Sequence, residues 1–493
     1  MMAEFDAIVV GSGPNGLAGA VVLSAAGLKV LVVEGAPSPG GGCRTEALTG
    51  PGFRHDVCSA AHPLAVASPF FARFDLAGRG VRLLTPEVQY AHPLDGGRAA
   101  SVVRSVDETA GSLGVDAGGY RRTYDGLVDH APGLVGAVLS SLRRVPPRSW
   151  QLLGFGLSSL LPASVLARRF VSDEARALVA GVAAHAMVPL NRPPTAALGL
   201  LLTTLAHSAG WPVVEGGSGG IVEAMVGAIE SRGGEVVTGT WVWRLSDLPP
   251  ARAVLADVTP RALLTMAGLR LPVGYRRALE RFRYGPGVCK VDFALSGPVP
   301  WAAGACRRAG TLHLGGTFEE IARAEAEVAA GRHPASPYVL AVQPGVVDPT
   351  RAPEGRHTLW SYCHVPAGST MDMADRVTDQ IERFAPGFRD LVLARHVLTA
   401  TAEEAHNPNY VGGDIASGAQ TLWQTLARPA PRWNPYRTPV PGLYLCSSST
   451  PPGPGVHGRC GELAALSALR EVYGIREVPD LAPATVPELA AVG

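Results

Sequence analysis

Residues 5–45 read FDAIVVGSGPNGLAGAVVLSAAGLKVLVVEGAPSPGGGCRT, and one supersecondary unit accounts for nearly all of them. Phe5–Val10 has the near-continuous apolar character of a buried parallel strand, the residues after Gly16 form an alanine-rich helix, and Lys29–Val33 is a second strand closed by Glu34. Strand, glycine turn, helix, strand and acid come in the order of a βαβ dinucleotide-binding unit. Gly11 permits the tight turn, Gly13 lets the backbone approach a pyrophosphate, and Gly16 lets the helix pack on the strand with its N-terminus toward the anion. Glu34 is placed to accept hydrogen bonds from a ribose diol.

That fingerprint alone serves NAD or FAD. The segment after Glu34 separates them: Gly40, Gly41, Gly42 and Arg44 offer a second backbone approach to the same ligand and a guanidinium for its phosphates. An NAD domain has no evident need of these, so the pattern favours FAD.

Length and composition bound the rest. A chain of 493 residues with 47% hydrophobic content has room for two or more domains with large cores. A net charge of +1 with no block of like charge argues against a nucleic-acid partner. The 59 glycines and 42 prolines are dispersed among apolar periodic segments and are read as turns and cofactor approaches. Seven cysteines, at 43, 58, 289, 306, 363, 446 and 460, show no CxxC and no metal-ligand spacing, which disfavours dithiol redox chemistry and structural zinc. No metal ligand set is expected. The opening MMAEFDAIVV enters its first strand without a basic leader, so a cytoplasmic protein is expected.

Along the chain, residues 1–85 hold the first unit, and 86–206 read as helical, with apolar spacings of three and four after Asp and Ser-Asp starts. Trp150–Phe170, WQLLGFGLSSLLPASVLARRF, is interrupted by Pro162 and too short to span a membrane. It is read as a buried helix pair, with an interfacial patch in peripheral contact with a membrane, or an apolar substrate entrance, as the alternatives. From Trp211 the nucleotide-domain style returns. The Gly216–Gly220 cluster lacks a strong leading strand and a closing acid, which argues against a second dinucleotide site. Strands such as VCKVDFAL and PYVLAVQP between about 286 and 430 suggest a second sheet, and GLYLCSSSTPPGPGVHGRCGELAALSAL gives a strand, a turn and a helix beginning near Gly458.

GSGPNG, Glu34, PGGGCRT, GFRHDVCSAAHP, the GGSGGIVEA helix, NPNYVGGDI and the closing TPPGPGVHGRCG together resemble the phytoene desaturase-like flavoproteins of the FAD-dependent amine oxidase superfamily, including the pyridine nucleotide-disulphide oxidoreductase domain 2-like branch. The resemblance implies an α/β protein: a Rossmann-type FAD-binding domain from 1–85, 207–285 and 430–475, an α+β substrate domain from 86–206 and 286–429 with a mixed sheet and helical insert, and a tail, 476–493. By the same likeness Gly11, Ser12, Gly13, Asn15 and Gly16 hold the pyrophosphate, Glu34 the adenosine ribose, Gly41, Gly42, Arg44 and Thr45 the phosphates and ribityl chain, and Val242 a strand that meets adenine. Gly455, Val456, His457 and Gly458 lie along the flavin pyrimidine. Pro454 and Arg459 depart from the usual closing motif.

For catalysis, Lys290 resembles the amine oxidase lysine that holds a water at flavin N5, and it is one of only two lysines. His457 is placed to contact the isoalloxazine or move a proton, whereas His62 is read as a structural hydrogen-bonder. No hydrolase constellation is present. The leading expectation is an FAD-dependent oxidoreductase that desaturates or oxidises an apolar, isoprenoid- or lipid-like small molecule by hydride transfer to N5, with oxygen or a quinone as acceptor. A flavin amine oxidase ranks lower because aromatics make up only 6% of the chain. The altered closing motif keeps a non-catalytic flavin-binding interaction protein as a third reading.

Overall fold

The computed structural model describes residues 4–140 and 153–483. Two sheets organise them. The strands, in chain order, are β1 (Ala7–Val10), β2 (Val30–Val33), β3 (Val88–Pro93), β4 (Ala99–Val103), β5 (Glu235–Val237), β6 (Ala253–Ala256), β7 (Gly287–Leu295), β8 (Ala309–Leu314), β9 (Val339–Val342), β10 (His357–Val365), β11 (Val392–Leu398) and β12 (Leu443–Leu445). Four helices bear on the site: α1 (Pro14–Ala25), α2 (Gly219–Glu230), α3 (Ala400–His406) and α4 (Arg459–Ala468).

The first sheet is all-parallel, in the order β12-β6-β1-β2-β5, with Val9 in register between Leu255 and Val32. Ala7 and Val9 face a core shared with α1, α2 and α4, while Ile8 and Val10 face a second core with Leu263, Met266, Tyr275 and Leu279. Burial on both faces is why β1 and β2 carry no polar alternation. The crossing of α1 and α4 is close: a Cβ on Gly461 would collide with the carbonyl oxygen of Asn15.

The second sheet is mixed, in the order β11-β7-β10-β9-β8-β3-β4, with only β3 and β8 parallel. Cys289, Val291 and Phe293 face a core with Val377 and Ile381, and Val288, Trp360 and Tyr362 face the opposite core, toward the helices Asp173–Ala183 and Thr195–Ser208.

The structure corrects two expectations here. The 86–206 stretch is not helical throughout: β3 is buried at all six positions and joins β4 at the edge of the second sheet, and α-helices begin only at Val106, capped by Ser105. The 150–170 stretch is a buried pair only in part: Ala163, Leu166, Ala167 and Phe170 pack into the core. Trp150–Leu152 lie outside the described residues, the helix Leu153–Ser159 leaves Leu157 62% exposed, and Leu160 beyond it is 54% exposed. Among the described residues no helix is long and apolar enough to cross a membrane.

Candidate active site

One cavity of about 680 Å³ joins the two sheets. At one end its wall is formed by the ends of β1, β2 and β6 and the loops after them, and at the other by side chains on β8, β9 and β10. The nucleotide end is built by the two glycine clusters. A Cβ on Gly16 would collide with the carbonyl oxygen of Gly11, which itself sits at φ +93°, so neither position accepts a side chain. Gly41 comes so close to the first cluster that its Cβ would lie 3.1 Å from Gly13 Cα. The Gly40 N–H donates to Ser12 O at 3.1 Å, which ties the second cluster to the first.

Two polar groups in this wall are buried with no partner among the described residues: Asn15 Oδ1 and Arg44 Nε. An acceptor and a cationic donor beside a helix N-terminus and Glu34 match the hydroxyls and phosphates of a flavin dinucleotide, so the residues present fit FAD. Asp257, not anticipated from the sequence, also lines this end. Its Oδ2 accepts the Gly16 N–H at 2.8 Å, and burial, opposed by that bond and reinforced by Glu34, pushes its carboxyl up from 3.8 to about 7.

The cavity wall contains Gly11, Gly13, Asn15, Glu34, Gly41, Gly42, Arg44, Val242, Gly455 and Val456. Four other expected cofactor residues stand behind it. Ser12 donates from its amide and hydroxyl to Glu34 Oε2, at 2.8 and 2.5 Å, and holds that carboxylate in place. Gly16 is packed against Gly11. The Thr45 hydroxyl donates to Asp56 at 2.9 Å and accepts the Gly219 N–H, anchoring the start of α2. Gly458, at φ +66°, turns the chain into α4 against Phe70. Val242 is in the wall but not on a strand: β5 ends at Val237, and residues 241–243 run outside both sheets, with Trp241 and Trp243 stacked 5.8 Å apart on either side of it.

The two catalytic candidates lie outside the wall. Lys290, on β7, is 2% exposed and paired with Asp292, in a buried group that includes His55 and, on α3, Glu403. Both Glu403 oxygens lack partners, and burial pushes its carboxyl up to about 8 against the pull of Lys290. His457 has both ring nitrogens committed to its own loop. Nε2 faces the Gly453 carbonyl at 3.1 Å and must donate, while Nδ1 accepts the Arg459 N–H at 3.1 Å. Burial lowers its pKa to about 4, so the ring is neutral and shapes the turn rather than carrying a proton. Arg459 also stands clear of the wall, donating to Leu139 O at 2.8 Å and pairing with Glu462. Pro454 does line the cavity. His62 makes the structural bond expected of it, Nε2 to Ser218 Oγ at 2.8 Å. Because Ser218 donates its one proton to Ser59 O, His62 must donate through Nε2, which leaves Nδ1 as an unpartnered acceptor in a residue that lines the cavity.

Leu64, Met187, Leu198, Leu202 and Ile415 make the far end apolar, and Trp211, Trp360, Tyr362 and Tyr410 add aromatic surface. Of these, the sequence singles out only Met187, read as core packing, and Tyr410, within NPNYVGGDI; the rest come from separate segments. The usable signal was the alternation in HTLWSYCHV, which puts Trp360, Tyr362 and His364 on one face of β10.

Residues 9–74 match the model of an NAD(P)-binding Rossmann-like domain. The chain is 28% identical to the mouse pyridine nucleotide-disulfide oxidoreductase domain-containing protein 2, over 95% of this chain and 94% of that one. It is 27% identical to a lycopene-forming phytoene desaturase of Pseudescherichia vulneris, over 94% and 98%. Among solved structures, an oxidoreductase of Methanosarcina mazei superposes with a TM-score of 0.63 at 17% identity, covering 94% of this chain and all of that one. A putrescine oxidase variant redesigned in its cofactor binding superposes at 0.61 and 16% identity, covering 96% and 99%. At these identities the structural matches speak for the fold.

Proposed function

We propose that this chain, similar along its length to flavoprotein desaturases and to the pyridine nucleotide-disulfide oxidoreductase domain 2 proteins, is an FAD-dependent oxidoreductase that oxidises or desaturates an apolar, isoprenoid- or lipid-like small molecule. The observation that carries this reading is the continuity of the cavity, which joins a dinucleotide cradle to a chamber walled by leucines, Met187, Ile415 and aromatic rings. Bound FAD would supply the two-electron acceptor for a substrate C–H bond. The protein's own part is positional. Gly13, Gly41, Arg44 and Glu34 fix the cofactor, Trp360 and Tyr362 form a rigid floor on the second sheet, and the apolar wall excludes water from the reacting carbon. Oxygen or a quinone is the terminal acceptor in this proposal.

The test is anaerobic mixing of the flavin-loaded protein with apolar isoprenoids and fatty compounds, followed by bleaching of the flavin absorbance. Air or a soluble quinone should restore the colour. A protein that purifies without flavin and does not take it up refutes the proposal.

Flavin amine oxidation is a second reading, favoured by one observation. Although aromatics make up only 6% of the chain, Trp211, Trp360, Tyr362 and Tyr410 are gathered in the cavity wall. Against it, the only carboxylates in that wall among the described residues are Glu34 and Asp257, both at the nucleotide end, so an ammonium would meet no counter-charge at the aromatic end. Peripheral membrane contact is the complementary proposal for substrate delivery: it draws on Leu157, Leu160 and the 81% exposed Val171, and co-sedimentation with phosphatidylcholine vesicles tests it.

A further inference from the structure

The aromatic end of the cavity is apolar in area but not in its hydrogen-bonding demands. Trp211 Nε1, Thr311 Oγ1 and Trp360 Nε1 have no partner, although these residues are only 2%, 1% and 5% exposed. All three line the cavity. An indole N–H can only donate, so each tryptophan calls for an acceptor that none of the described residues provides.

Two of these donors belong to one corner. Thr311 is the in-register neighbour of Tyr90 across β8 and β3, and the Tyr90 ring lies 5.3 Å from that of Trp211. Tyr90 does not satisfy either of them, because its hydroxyl is bonded to Thr203 at 2.8 Å. Trp360 stands two strands further along the same row, roughly 10 Å away at ordinary strand spacing. Among the described residues no formal charge balances this corner. The neighbouring His185 ring, 5.9 Å from Trp211, is held neutral by burial, with its pKa lowered to about 3. The arginines and acids of the wall, Arg44, Arg261, Glu34 and Asp257, all come from segments of the nucleotide end.

We propose that the substrate is not a plain hydrocarbon but carries a neutral oxygen function, a carbonyl or hydroxyl, whose oxygen accepts from the Trp211 indole N–H and the Thr311 hydroxyl. A carboxylate would find no cation in this corner and an ammonium no anion, whereas a neutral oxygen has lone pairs for both donors. The inference rests on the apolar-substrate reading and narrows it. It also gives the substrate a direction in the chamber, with its oxygen held against β8 and β3 and its apolar body along Leu340, Val342 and Trp360.

Two probes of similar length separate the possibilities: 2-undecanone and 1-undecene, titrated calorimetrically into flavin-loaded wild-type protein and into the Trp211→Phe/Thr311→Val double variant. Retained flavin absorbance shows that the variant is folded. Loss of both donors should weaken ketone binding about tenfold and leave alkene binding within about twofold. Equal losses for the two probes, or an unchanged ketone, overturn the inference and leave the apolar reading standing, as does a wild-type protein that binds the alkene but not the ketone. If wild type binds neither probe, the apolar reading fails and this inference with it. Should the double variant lose its flavin, Thr311→Val alone, which swaps a hydroxyl for a methyl at nearly constant shape, carries the same comparison with an expected ketone loss of about threefold.

Discussion

Replacing Asp257 by Asn tests the electrostatics of the nucleotide end directly. Asp257 is a carboxyl held deep beside the cavity, and its folded-state pKa of about 7 stands above the ordinary 3.8. An acid whose pKa is raised by folding is bound to its proton more tightly in the native state, so stability falls as pH rises from about 4 and the loss is complete above about 7. At 1.36 kcal/mol per unit the full penalty is about 4 kcal/mol, of which water in the adjoining cavity screens a part. The introduced amide would keep the side-chain oxygen that accepts the Gly16 N–H and would carry no charge at any pH. The advantage of Asp257→Asn over wild type should therefore grow by about 2 kcal/mol between pH 5 and pH 8. For a chain of this length that corresponds to ~2 °C in Tm. Thermal unfolding of flavin-free protein at the two pH values measures it. A gain that is the same at both, or a variant less stable than wild type at pH 8, would show that the carboxylate is ionised and useful in the native state, and would refute the reasoning.

Gly13→Ala places a Cβ 2.6 Å from Asp257 Oδ2 and should reduce bound flavin per protein at least tenfold, measured as the absorbance ratio after desalting. Lys290→Met removes the ammonium paired with the buried Asp292 carboxylate, leaving only the His55 and His396 imidazoles beside it, and should cost about 3–5 kcal/mol. Adding Asp292→Asn should recover most of that in a denaturant titration, while flavin reoxidation by oxygen in the folded fraction stays unchanged if the lysine serves structure alone. Glu403→Gln removes a carboxyl whose pKa is raised from 4.5 to about 8, so its stabilising effect should be absent near pH 4.5 and largest above pH 8. Chemical denaturation across that range would show it.

What the sequence disclosed and what it withheld divide along a physical line. β1, α1 and β2 were legible because their contacts are local and both faces of each strand are buried, so an apolar run, glycine spacing and a terminal acid lie within forty residues. β3 was not: on one side its partner β8 lies more than two hundred residues away, and the one local signal, the Asp95-Gly96-Gly97 turn of its hairpin with β4, lies inside a stretch read as helical. The same holds within the site. Gly41 meeting Gly13 comes from neighbouring motifs, whereas Thr311, Val342 and Trp360 become one row only through the register of three strands. Asp257 and His457 show a different limit: their residue types suggested nothing or too much until their hydrogen-bond partners were known.

The first sheet has a consequence for how the protein is made. β1 and β2 leave the ribosome early, but the strand that flanks β1 on its other side is β6, the one beyond that is β12, and the helix that covers α1 comes later still. Until Leu443–Ala468 has been synthesised, β6 keeps an open apolar edge and α1 an uncovered face, both prone to wrong pairing. Fragments ending before Leu443 should accumulate as insoluble protein, and the nascent chain is a natural client for chaperones through most of its translation.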